Sequence, residues 1–281
     1  MSNSIRTKQC KHGRFSYFTN DIIIGQSLEL YGEYCEQEFM VISHLVNPTD
    51  YILDIGANIG LHTVWFAKHA FQGHVSSFEP NEFNRQLLIQ NLRQNHCMNA
   101  EVYTNVVGDR TGTCFISSYS PHIPGNYGEC SVLKKGKGAY HAAQMVRIDQ
   151  LNPVKCDFIK IDVEGYEPQV ITGALETIKK FKPSMLVEVN DNQEHIKYIW
   201  NTLRPLDYLM WWLPVRNYNP ANYAGNKQNV FLDSGVINLV VAHKSKAKLE
   251  FLDTALNAVK GPDDSYSKAH QRLHKLSLIH I

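Results

Sequence analysis

From residue 51 onward, short apolar runs alternate with amphipathic stretches. Residues 51–56 form an apolar run closed by Gly56, which predicts a buried strand, and residues 61–70 predict a helix behind it. A second strand is predicted at 74–79, stopped by Pro80. The helix predicted next, at 82–95, carries Phe83, Leu87, Leu88 and Leu92 at helical spacing. Residues 101–107 alternate as a third strand. After a looser region, strands are predicted at 157–163 and 184–189, with helices at 168–181 and 193–203. Runs at 208–213 and 236–242 predict an antiparallel pair that closes the sheet. Strands alternating with helices of this length predict an α/β fold with a mostly parallel sheet and helices on both faces.

Three regions fall outside this rhythm. Residues 1–48, with an amphipathic stretch near 28–46, are expected to pack as an N-terminal cap on a domain spanning 49–243. That domain carries two loop insertions, one at 117–145 rich in Gly, Ser, Tyr and Lys, the other at 214–235 rich in Asn, Pro and Gly. Loops this long are uncommon unless they serve a function or lack structure. Residues 244–281 read as a polar C-terminal tail without catalytic content.

Composition narrows the function. The 281 residues carry 28 basic and 27 acidic side chains, a net charge of +1, so the footprint of a general nucleic-acid binder is missing. No apolar run approaches the roughly 20 residues of a membrane span. The N-terminus spreads Arg6, Lys8, Lys11 and Arg14 through polar sequence without the apolar core of a signal peptide, and a cytoplasmic location is expected. Six cysteines without a C-x-x-C pair, and no H-x-x-H or H-E-x-x-H, point to reduced structural thiols rather than to a zinc or redox centre.

The chemistry gathers where strands end. Asp54-Ile55-Gly56-Ala57-Asn58-Ile59-Gly60 runs from a strand directly into a helix, which places backbone N–H groups beside a ligand at the first βα turn. In the dinucleotide pattern the middle position is glycine and makes room for a pyrophosphate; here it is Asn58, which crowds a diphosphate. Glu79 closes the second strand nineteen positions after Gly60, where a carboxylate can accept both hydroxyls of an unphosphorylated ribose. A nucleoside without a diphosphate points to S-adenosylmethionine. The expected cofactor residues are Asp54, Gly56, Asn58, Gly60, Glu79 and Asp162.

Together with Phe78-Glu79-Pro80-Asn81, with residues 158–167 and with Leu186-Val187-Glu188-Val189, the turn resembles the FkbM-type S-adenosylmethionine-dependent methyltransferases over about residues 30–190. The resemblance implies a class I methyltransferase fold, a Rossmann-like, mostly parallel seven-stranded sheet. It also implies methyl transfer to a hydroxyl of a sugar, glycan or polyketide-like small molecule. Transfer to nitrogen or carbon is the alternative within the fold. A nicotinamide-dependent oxidoreductase is disfavoured by Asn58, and a nucleotide-binding protein without turnover by the intact acidic residues.

Those residues sit in Lys160-Ile161-Asp162-Val163-Glu164-Gly165-Tyr166-Glu167. Strand alternation puts Lys160 and Asp162 on one face, and Glu164 follows at the carboxyl end, where such sheets bind ligands. Glu188 ends the neighbouring strand. Asp162, Glu164 and Glu188 are the expected catalytic residues, able to hold the methionine ammonium, to take the acceptor's proton or to ligate a divalent cation; the cation is the less favoured reading. Lys160 reads as a partner of a nearby acid and Glu167 as a first-turn helix charge. His62 and His141 read as surface or satisfied core histidines. Trp211, Trp212, Tyr218, Tyr223 and Phe231 among Asn217, Asn219, Asn222, Asn226 and Asn229 read either as a sugar platform on a closing loop or as core aromatics with turn-forming amides. Tyr119, Tyr127 and Tyr140 have the same two readings.

Overall fold

A computed structural model describes residues 5–117, 119–128, 131–132, 140–190, 192–246 and 249–264. The hairpin β1 (Ile5–Cys10) and β2 (Gly13–Phe18) opens the chain, followed by α1 (Ile24–Tyr31) and α2 (Glu36–Ile42). The βα units follow as β3 (Tyr51–Ile55), α3 (Leu61–His69), β4 (His74–Phe78), α4 (Glu82–Gln94) and β5 (Ala100–Tyr103). A small sheet is formed by β6 (Val106–Val107), β7 (Gly112–Ser117) and β8 (Tyr140–Val146). After α5 (Ile148–Leu151) come β9 (Phe158–Ile161), α6 (Glu167–Gly173), α7 (Leu175–Phe181), β10 (Ser184–Glu188) and α8 (Gln193–Leu203). The chain then adds β11 (Tyr208–Arg216), β12 (Gly235–His243), α9 (Leu249–Ala255) and β13 (Asn257–Ala258).

The main sheet has the order β5-β4-β3-β9-β10-β12-β11-β13. The strands from β5 to β10 are parallel, and β12 is antiparallel to both its neighbours. The expected α/β class is therefore present: seven principal strands, with the two-residue β13 as an eighth.

Side-chain alternation divides the core. Ile52, Phe158, Leu186, Trp211 and Val240 face α1 to α4, whereas Leu53, Ile159, Met185, Trp212 and Leu239 face α5 to α8. The neighbours Trp211 and Trp212 thus anchor opposite layers, each with its indole N–H on a carboxylate, Asp253 at 2.8 Å and Asp264 at 3.2 Å. The core reading of these two residues is the right one.

The structure departs from the sequence expectations in four places. Residues 101–107 are not one strand: β5 pairs with β4, while β6 leaves to pair with β8. The helix at 168–181 is two helices, broken at Ala174 (φ −113°, ψ 7°). The Asp149 carboxylate draws in the second, accepting from the Thr177 N–H and Oγ1 at 2.8 Å each. The N-terminal hairpin has no apolar signature because β1 lies largely exposed; side chains elsewhere hold it. Asn91 accepts from the Ser16 N–H (2.7 Å) and donates to the carbonyls of Ser16 (3.0 Å) and Ile59 (2.7 Å), tying hairpin, α4 and glycine turn together. Finally, the segment read as a polar tail contributes α9 and β13; its residues from 265 onward lie outside the described ones.

Among the described residues, no helix is long and apolar enough to cross a membrane.

Candidate active site

A cavity of about 520 Å³ opens at the carboxyl ends of β3, β4, β9 and β10, the usual ligand position in such sheets. One wall is the turn between β3 and α3. Gly56 (φ +83°) sits so close to β9 that a Cβ there would run into the Asp162 carbonyl oxygen. Its N–H and that of Ala57 donate to the Phe78 carbonyl at 3.0 and 3.1 Å. Asn58 adopts φ +50°, a left-handed conformation that asparagine tolerates, and its Oδ1 accepts from the Ile59 N–H at 2.7 Å.

Glu79 is buried at the end of β4 and lines the cavity. Its Oε2 accepts from the Asn58 N–H and its Oε1 from the Asn81 N–H, both at 2.8 Å. The carboxyl that was expected to meet a ribose therefore also holds the glycine turn in shape, with a lone pair left on each oxygen. Burial, opposed by the Asn81 and Asn58 N–H groups, pushes its pKa up to about 7.

A buried polar row runs beneath this turn. Asp54 is fully buried; one oxygen accepts from Thr63 Oγ1 at 2.6 Å, and the other lies 3.9 Å from Lys160 Nζ. Asp54 and Gly60 do not line the cavity: Asp54 supports the turn from below, and Gly60 (φ +88°) starts α3. Lys160 donates to Asp162 at 3.0 Å. Burial opposes its charge, but Asp162, Asp54 and Glu38 outweigh burial and hold it above the ordinary lysine range. Burial likewise pushes Asp162 up, yet the Lys160 ammonium and the hydrogen bond from Glu188 prevail and keep it ionised. Glu188 is raised well above its usual range by burial and by the Asp162 charge, which favours its protonated form.

The three carboxylates proposed from the sequence do converge. Asp162, Glu164 and Glu188 each place an oxygen within 4.8 Å of the others. Glu164 stands at φ +52° on a loop that Glu167 secures. Glu167 Oε1 accepts from the N–H groups of Gly165 (3.0 Å) and Val163 (3.3 Å), and its Oε2 lies 3.0 Å from His195 Nδ1. Glu167 is thus more than a helix-end charge.

Sequence reasoning missed a second group. Glu38 of α2 and His62 of α3 both line the cavity, with Glu38 Oε2 at 2.6 Å from His62 Nε2. Asn238 of β12 donates to Glu38 Oε1 at 3.0 Å and stands opposite Glu188 in the strand register. Nothing near Glu38 in sequence marks it, because its partners lie 24 and 200 positions away.

The aromatic excursion is not an open platform. Its residues fold back on α1: the Tyr31 hydroxyl donates to the Gln228 carbonyl at 2.8 Å, and Glu33 accepts from Asn219 (2.7 Å) and the Tyr223 N–H (2.9 Å). Of the five asparagines, only Asn217 lines the cavity. Tyr119 and Tyr127 stack at 4.3 Å and lead into Gly128, which roofs the cavity beside Asn58. Tyr140 and His141 lie on β8, outside the cavity lining.

The strand order, the glycine turn at the carboxyl end of β3 and the carboxylate-lined chamber fit a class I S-adenosylmethionine-dependent methyltransferase. The Methyltransferase FkbM domain matches residues 54–210, more than half of the chain, and the protein belongs to that family. It is 26% identical to methyltransferase sdnD of Sordaria araneosa over 210 residues, 62% of this chain and 78% of that protein. It is also similar to the methyltransferase FkbM of Methylobacillus flagellatus KT, at 18% identity and TM-score 0.44, covering 69% of this chain but only 44% of the other. The protein PH0793 of Pyrococcus horikoshii aligns at TM-score 0.49 and 11% identity, covering 86% of this chain and 72% of that one.

Proposed function

We propose that the enzyme methylates a hydroxyl oxygen of an uncharged small molecule or glycan, of the sugar or polyketide type. The observation that carries this reading is the chamber itself: three carboxylates converge beside a wall of neutral Asn217, Ser234 and Asn238. An alcohol must lose its proton as it attacks; an uncharged acceptor avoids repulsion from the acids.

The donor fits the residues present. The turn from Gly56 to Asn58 would hold its nucleoside, Glu79 would accept the ribose hydroxyls and Asp162 would hold its ammonium. When bound, S-adenosylmethionine supplies a methyl group already activated by sulfonium charge. The protein's part is therefore alignment, exclusion of water and removal of one proton. Burial and the Asp162 charge drive Glu188 toward its protonated form and Asp162 is bound to Lys160, so Glu164, which lines the cavity, is the carboxylate assigned to receive it. A divalent cation is not part of this proposal, since the Lys160 ammonium already neutralises Asp162 at 3.0 Å. EDTA is expected to leave turnover unchanged; inhibition reversed by magnesium would replace the protein base with a metal.

The test is methyl transfer from radiolabelled S-adenosylmethionine to a panel of neutral glycosides, polyketide alcohols, amines and activated carbon acids. Label on oxygen is expected, with Glu164→Gln lowering turnover. Label confined to nitrogen or carbon products overturns the hydroxyl assignment.

A further inference from the structure

One part of the cavity has no role in that mechanism. α3 has nine residues and no side-chain N-cap. Its first amides, those of Leu61 and His62, have no acceptor among the described residues, as expected for a helix start. His62, only 9% exposed, is held between the rings of Phe39 at 4.8 Å and Phe66 at 6.1 Å. Glu38 and Asn238 fix one edge of the imidazole through Nε2. Nδ1 has no partner among the described residues, although the ring lines the cavity.

The remaining ionisable lining at the strand ends is acidic apart from the committed Lys160. The cavity thus combines an acidic cluster with one place suited to an anion: a positive helix end beside a ring whose imidazolium form offers Nδ1–H. S-adenosylmethionine has a tail with the matching pair of charges. We propose that His62, held by Glu38 and Asn238, binds the carboxylate of that tail together with the first amides of α3. The ammonium then faces Asp162. This inference rests on the cofactor reading above and assigns Glu38 and Asn238 as positioning residues.

Calorimetric titration separates the two. 5′-Methylthioadenosine has the nucleoside but lacks the amino-acid tail, and decarboxylated S-adenosylmethionine lacks only the carboxylate. Wild type should bind S-adenosylmethionine roughly tenfold or more tighter than its decarboxylated form, the scale of a charge-assisted hydrogen bond. His62→Ala should weaken S-adenosylhomocysteine by a similar factor while methylthioadenosine stays within roughly twofold. His62→Asn, whose amide can still donate, should recover part of the loss. Equal wild-type affinities for the two sulfonium compounds overturn the proposal, and so does a His62→Ala variant whose affinities for tailed and tailless ligands change in equal proportion. Should neither the tailed nor the tailless nucleosides bind wild type, the cofactor reading itself falls.

Discussion

Glu79 holds the glycine turn and, in the proposed cofactor site, meets the ribose, and the two roles titrate together. Its folded pKa of about 7 lies above the ordinary glutamate value of 4.5, so the fold favours the protonated form. That stabilisation is complete below the unfolded pKa and is lost as pH rises through about 7. Thermal midpoints of wild type should therefore fall relative to Glu79→Gln between those limits; parallel curves would contradict the assignment. Ribose binding needs acceptor oxygens, so S-adenosylmethionine affinity should rise with pH over the same interval. Glu79→Ala should weaken the ligand by about 1.5–3 kcal/mol and also lower stability by about 1–3 kcal/mol, because the buried amides of Asn58 and Asn81 lose their acceptor. Urea titration beside calorimetry reads both. Gly56→Ala acts differently: with φ +83° and the Asp162 carbonyl in the way, its main effect should be a lower melting temperature. An unchanged melting temperature would refute that close approach.

Between elements, buried polar side chains set the assembly. Asn91 joins the hairpin, α4 and the glycine turn, so Asn91→Ala should cost about 2–4 kcal/mol in urea unfolding through the partners it leaves unpaired. A cost below about 0.5 kcal/mol, ordinary for a surface change, would show that the hairpin is held otherwise. Lys160 joins β9 to β3 and neutralises two acids. Lys160→Met should cost about 3–5 kcal/mol, since removing one partner of a buried pair strands the others. The companion variant Asp162→Asn should weaken S-adenosylmethionine while disturbing stability less, because its side chain is 38% exposed. Equal destabilisation by both variants would rank Asp162 as structural.

For the whole molecule, the surprise is how far the described segments on either side of residues 49–243 reach into the domain. Glu38 comes from the N-terminal region yet shares the cavity with β12. The C-terminal region supplies β13 and the carboxylates that accept from Trp211 and Trp212. Truncation after Lys246 should lower the melting temperature and red-shift the tryptophan emission as the indoles meet water; an unchanged spectrum would mean that these contacts contribute nothing.

The strand-helix order, the glycine turn and the motifs around Glu79, Asp162 and Glu188 were legible in the sequence because their information is local. Apolar runs of period two or 3.6 report which face is buried, and glycine reports a turn that a side chain cannot enter. Even the convergence of Asp162, Glu164 and Glu188 follows from neighbouring strands ending at one edge. The departure of β6, the break at Ala174, the hairpin and the Glu38–His62 pair were not legible. Each is decided by a hydrogen bond between residues far apart in the chain, and one polar side chain in a sequence does not announce which distant group it will satisfy. Period and punctuation determined the scaffold; only the buried polar contacts of the folded chain decided which acids are pushed toward the charged form, which toward the protonated one and which hold backbone in place.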